Sequence, residues 1–227
     1  KKVIWLSDMQ RMKMDKNTLE ELHNGFQTAY INRDFPSSLA YKPQFVSNNY
    51  KMGKKVMASI EDELLVCDHF QISVAFITMG GITPLLQTLS ELEKRNIKGE
   101  ILTTNYQDFS QPWALKKLQG FKNITLKMYD SHAANDNFHT KGYIFQNAEI
   151  YRIIIGSSNF TKTALGSNRE WNIRIISTDQ GEMAQEILGE FQELWNSQYT
   201  MEFDDFYEEY AERYRIIKQQ KKKPEKI

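Results

Sequence analysis

Gln71 to Thr78, QISVAFIT, is the segment that most limits what this chain can fold into. It is β-branched and nearly all apolar, the composition of a strand covered on both faces. Gly80-Gly81 breaks it, and Thr83-Pro84 then supplies an N-cap and a proline at the first helical turn, opening a helix to about Arg95. Lys98 to Thr104 reads as the next strand, Pro112 to Leu118 as a short helix, and Ile124 to Tyr129 as a third strand. Strands alternating with helices predict an α/β fold with a mixed, mostly parallel sheet flanked by helices on both faces.

From Phe138 the rhythm changes. Phe138 to Phe145 and Tyr151 to Ile155 predict a strand pair joined by Gln146-Asn147-Ala148. Gly156-Ser157-Ser158-Asn159 interrupts, a helical turn covers Thr161 to Leu165, and Glu170 to Ser177 is another strand. Glu182 to Trp195 is an amphipathic helix with Met183, Ile187, Leu188, Phe191 and Leu194 inward. Trp113, Trp171 and Trp195 are expected as core or interface aromatics.

The flanks divide the chain. Residues 1–50 read as an extension packed on the core, with a helix carrying Leu19, Leu22, Phe26 and Tyr30 and then an irregular loop over 32–50. A helix from about Gly53 to Val66 opens the main domain, placed at 51–200. Residues 201–227 read as a charged helical linker, acidic from Glu202 to Glu212 and basic from Arg215 to Lys226, leading towards a missing downstream domain.

Composition narrows the compartment and the partners. With one cysteine, Cys67, no intrachain disulfide or multi-cysteine metal site can form. No apolar run reaches the roughly 20 residues that span a bilayer, and the first residues are too short in apolar content for a signal peptide. A cytoplasmic protein without a membrane anchor is expected. The 29 Lys+Arg balance 29 Asp+Glu, so any nucleic-acid surface must be local rather than global.

One stretch carries chemistry. On a strand, residues two apart share a face, so His139 and Lys141 are expected to project together. An ammonium there holds non-bridging phosphate oxygens while a ring nitrogen attacks phosphorus or moves a proton. In Gly156-Ser157-Ser158-Asn159-Phe160-Thr161, the glycine lets the backbone close on a ligand, and Ser157 and Asn159 offer a hydroxyl and a carboxamide to phosphate oxygens. Ser158 and Thr161 are further candidates on the same turn. Glu170, eleven residues past Asn159, is placed to hold an imidazole in one tautomer. Tyr106 and Phe109 follow a strand end, where open sheets place binding crevices, and His132 sits in the loop from Asp130 to Asn137 as another substrate contact.

His-x-Lys, then Gly-Ser-Ser-Asn-x-Thr, then Glu, in this order, resembles the signature of the phospholipase D superfamily, in its bacterial nuclease-like branch. The resemblance implies a phospholipase D-like endonuclease fold and a phosphodiesterase needing neither metal nor cofactor. In that family one His attacks phosphorus, a second His protonates the leaving oxygen, and Lys and Asn bind the phosphate oxygens. His139, Lys141, Asn159 and Glu170 inherit the catalytic roles, with DNA as substrate. The family pattern continues HxKx4D, and the matching position here is Gln146. CDHFQISVAFIT, KGEILTTNY, PWAL, FHTKGYIF and NREWN are further similar to the phospholipase D-like domain at the N-terminus of large bacterial DEAD/DEAH-type helicase proteins, over most of residues 17–200. That implies a helicase-linked restriction or repair protein. Only one HxK is present, so a two-histidine reaction predicts a homodimer with two His139 residues facing each other. The competing reading, favoured by Gln146 and the neutral charge, is a catalytically silent module for DNA binding or dimerisation.

Overall fold

Strand β2 (His69–Val74) is buried along nearly its whole length, as its composition requires. It lies near the middle of an eight-stranded sheet in the computed structural model, which describes residues 42–220. The chain divides into two compact units, Lys1–Gln44 and Phe45–Ile227. The expected helix through Leu19 to Tyr30, and His23 on it, lie outside the described residues, as do Lys221, Lys222, Lys223 and Lys226. Residues 45–50, grouped by sequence with the extension, fall in the second unit. There Val46 is buried in the core, and the Asn48 side chain donates to the Ala164 and Asn168 carbonyls and accepts from Val56 N.

The sheet comprises β1 (Gln44–Val46), β2, β3 (Lys98–Thr104), β4 (Ile124–Tyr129), β5 (Lys141–Asn147), β6 (Ile150–Gly156), β7 (Asn172–Thr178) and β8 (Thr200–Glu202). Their order is β1-β7-β6-β5-β2-β3-β4-β8. β2/β3 and β3/β4 are parallel, joined by helical crossovers. β2/β5, β5/β6, β6/β7 and β4/β8 are antiparallel. The expected mostly parallel sheet is therefore corrected to a mixed, mostly antiparallel one. The β5–β6 connection is too short for anything but a hairpin, since a parallel pair needs a crossover of about a dozen residues, and the β5-β6-β7 run extends the sheet the same way.

Helices cover both faces. On one pack α1 (Val56–Val66), α2 (Met79–Ile82), α3 (Leu86–Lys94), α4 (Pro112–Gln119) and α6 (Lys162–Gly166), around Phe70, Ile72, Val74, Tyr143 and Ile154. The other face buries Leu102, Ile144 and Ile153 beneath α7 (Glu182–Trp195), with α5 (Ser131–Ala134) at its margin. On α7 the buried positions are Ala184, Phe191 and Trp195, whereas Met183 is exposed. Ile187, Leu188 and Leu194 pack against this cluster as periodicity suggested, and only Met183 falls outside the inward stripe, with Ala184 and Trp195 added to it. Trp195 is buried, but Trp113 and Trp171 are exposed.

Residues 201–220, expected as a charged linker, instead contribute to the core. β8 pairs with β4, and α8 (Phe203–Gln220) buries Phe203, Phe206, Tyr210 and Tyr214. These aromatics recur at helical spacing, a signal hidden under the charge run. Burial pushes the Cys67 thiol up to about 11, so it behaves as a small hydrophobe. No helix among the described residues is long and apolar enough to cross a membrane.

Candidate active site

The register of the sheet gathers the motif residues at one end. Val74 pairs with Lys141, Gly142 with Ile155, and Gly156 with Asn172. The C-terminal ends of β2 and β6 therefore meet the N-terminal ends of β5 and β7. Gly156 makes that junction possible, because a Cβ there would lie 2.2 Å from the Trp171 carbonyl oxygen.

His139 precedes β5 rather than lying on it. Its ring meets Phe76 and Tyr106, each edge-on with centroids 6.0 Å away, and those two stack on each other at 6.5 Å. Phe109 packs edge-on against Phe76 at 5.0 Å. Burial lowers the His139 imidazole below its ordinary value, and the Lys141 ammonium lowers it further. The ring is thus biased towards the neutral form that a nucleophile requires. Lys141 does not reach it by strand alternation alone. Its Nζ donates to the His139 carbonyl oxygen at 2.6 Å, while Thr140 between them hydrogen-bonds Ser73 at 2.6 Å. Burial lowers the Lys141 ammonium in turn, against the opposing pull of Glu170.

Asn159 is fixed by a contact that sequence gave no hint of. Its Oδ1 accepts from Phe76 N at 3.1 Å, linking positions 83 apart. With the oxygen engaged, the carboxamide presents Nδ2 as its donor. Phe76 was read only as part of a buried strand. The signal that could have found it is its place just past a parallel strand's C-terminal end.

The second group is Ser157, Glu170 and Trp171. Ser157 Oγ donates to the Glu170 carboxylate and accepts from Trp171 N at 3.1 Å. The expected serine donor to phosphate is therefore committed to Glu170, and Glu170 to Ser157 rather than to the imidazole. Two other candidates hold the turn itself, and a third, His132, follows β4. Ser158 is fully buried, its Oγ accepting from Asn172 and its carbonyl accepting from Tyr143 Oη at 2.9 Å, so it supports the turn from beneath. Thr161 caps α6, accepting from Ala164 N at 3.3 Å. His132 is an exposed residue of α5, whose backbone N donates to the Asp130 cap. Gln146 stands five residues along β5 from Lys141, about 16 Å at strand rise, where its Nε2 donates to the Ala148 carbonyl. Among the described residues no group of three or more His, Cys, Asp or Glu side chains is placed to hold a metal ion.

Replacing Lys141 by Met removes a cation that opposes imidazole protonation. In an NMR titration the His139 resonances of Lys141→Met should therefore move at higher pH than in the parent. A midpoint unchanged or lowered would contradict the coupling.

The family model described as "cardiolipin synthase, PLD-like domain" matches residues 68–195. Among solved structures, NucT from Helicobacter pylori is similar, with a TM-score of 0.55 and 18% identity over 71% of this chain and 99% of that one. Nuc from Salmonella typhimurium, titled a phospholipase D family member, gives 0.53 and 18% over 71% and 98%. A phosphatidylserine synthase from Haemophilus influenzae gives 0.52 and 14%, over 79% of this chain but 45% of its own. At such identities the likeness is one of fold. No curated protein matches the sequence.

Proposed function

The chain belongs to the PLD-like domain family, and on that footing we propose that it is a metal-independent phosphodiesterase that cleaves DNA through a phosphohistidine on His139. The observation that carries the reading is the convergence, at one end of the sheet, of an imidazole biased to neutrality, an ammonium two residues on and a carboxamide whose oxygen is already engaged. In the proposed reaction a His139 ring nitrogen attacks phosphorus while the bond to the leaving oxygen breaks. Lys141 Nζ and Asn159 Nδ2 take the non-bridging oxygens. Water then attacks the phosphohistidine and restores the imidazole.

The leaving oxygen needs a proton, and among the described residues the His139 ring meets Phe76 and Tyr106 but no second imidazole. His69 begins β2 at the opposite end of the sheet, 3.8 Å from Glu100. His139 of the partner subunit provides the acid in a two-fold dimer, and then serves as the base that activates water. The module is the N-terminal nuclease of a helicase-linked restriction or repair protein, a part of the proposal that rests on the sequence resemblance alone. Gln146 stands five residues along β5 from Lys141 and bonds the Ala148 carbonyl, which supports an active site over a silent module.

The test is cleavage of plasmid and single-stranded DNA in excess EDTA. Activity should persist. When wild type is mixed and re-equilibrated with His139→Ala, activity per total protein should follow the square of the wild-type fraction, because each site needs both imidazoles. A linear dependence would refute the shared site, and loss with chelator would refute the histidine mechanism.

A further inference from the structure

The most exposed aromatic side chain among the described residues lies beside the motif-bearing end of the sheet. Trp171 is 74% exposed and follows Glu170 directly. Phe45, 61% exposed, packs edge-on against it, with centroids 6.0 Å apart and planes at 76°. An indole at the surface but braced by a phenyl edge is a platform of defined orientation. Its backbone is defined too, since Trp171 N donates to Ser157 Oγ, which itself donates to Glu170.

Beside this platform opens a cleft of about 550 Å³ whose lining includes Asn48, Lys51, Arg169, Glu170 and Trp171. Lys51 and Arg169 are both exposed, and neither has an ion-pair partner among the described residues. The other described arginines are engaged, Arg174 and Arg152 with Glu63, Arg213 with Asp108, Arg215 with Glu212 and Arg95 with the Leu65 carbonyl, whereas Lys51 shares its lack of an ion pair with neighbours such as Lys54 and Lys55. Two cations without an ion-pair partner among the described residues, beside an aromatic face, are a combination that binds a backbone phosphate and a stacked base together. A duplex buries its base faces in its own stack, so a stacking platform of this kind selects bases that are unpaired.

We propose that Trp171, braced by Phe45 and flanked by Lys51 and Arg169, is a subsite that stacks one unpaired base next to the scissile phosphate and makes single-stranded DNA the preferred ligand. The inference rests on the phosphodiesterase reading above and adds to it the strandedness of the substrate. The aromatic pair supplies sequence-tolerant stacking and the two cations supply phosphate contacts.

The experiment measures binding of a fluorescein-labelled oligothymidylate, and of a blunt duplex of equal length, to protein carrying His139→Ala, so that the ligand is not consumed. The single strand should bind more tightly and quench tryptophan fluorescence. Adding Trp171→Ala should weaken single-strand binding about tenfold or more, while Trp171→Phe restores most of it. Replacing Lys51 and Arg169 together by Ala should reduce the dependence of log affinity on log salt by about 1.4, as expected for two lost phosphate contacts on a single strand. Undiminished single-strand affinity in Trp171→Ala, or equal affinity for the duplex, would overturn the subsite while leaving His139-dependent cleavage standing. Absence of both nucleic-acid binding and His139-dependent cleavage would overturn the subsite together with the function it rests on.

Discussion

His139→Ala should lower DNA cleavage by about four orders of magnitude or more, because in the proposed reaction it removes the atom that forms the covalent bond rather than a group that assists it. The variant should fold normally. The His139 ring stands at the surface against Phe76 and Tyr106, outside both core clusters. Unchanged thermal unfolding alongside lost cleavage would separate chemistry from stability. Quenching the wild type during turnover of a substrate labelled at the scissile phosphate should leave label on the protein, in a phosphoramidate that is stable to alkali and lost in acid. That label should map to the peptide containing Phe138 to Lys141. Cleavage retained at near wild-type rate by His139→Ala, or label on a serine, would move the nucleophile elsewhere.

Gly81→Ala should have a large structural effect for so small a change. Gly81 lies in α2, where a Cβ would come 2.2 Å from the Phe160 carbonyl oxygen and 2.8 Å from Thr161 N. Neither is the free end of a side chain. Phe160 N donates to the Phe76 carbonyl and Thr78 N donates to the Phe160 carbonyl, both at 3.0 Å. The methyl must therefore push the 159–161 turn away from the end of β2. Overpacking of this kind costs about 2–3 kcal/mol, which corresponds to roughly 5–10 °C in melting temperature for a domain of this size. Asn159 shares that backbone, so cleavage should fall in the remaining folded protein as well. Gly189→Ala is the control. Gly189 is on α7 with nothing within 4 Å of the added atom, and the substitution should stabilise by up to about 1 kcal/mol. Equal stability of the two variants would show that the α2 turn is not pressed against the loop.

The candidate site was legible in the sequence to the extent that it is written in local order. His139, Lys141, Ser157, Asn159 and Glu170 could be singled out because their order and spacing resemble the phospholipase D signature. The limits of β3, β4 and α7 follow from period and punctuation in the same way. What a motif cannot say is which of two neighbouring side chains faces the ligand. Ser157 is exposed and Ser158 buried only because Tyr143 and Asn172 hold the second from below. The parallel sheet was over-read because β-branched runs report burial on two faces and not the direction of the neighbour.

The amino-acid order by itself determined the candidate reacting groups, most of the strands and helices that carry them, and the family they resemble. Those depend on residue type and on separations of a few positions. Only the tertiary structure decided that Phe76 and Tyr106 wall the imidazole, that Asn159 is set by a backbone amide 83 positions away, that Gln146 lies at the far end of its strand, and that Trp171 stands in the open. Each of these depends on strand order and register, which are fixed by how distant segments share one core. That is a property of the packed whole and leaves no periodic trace in any one segment.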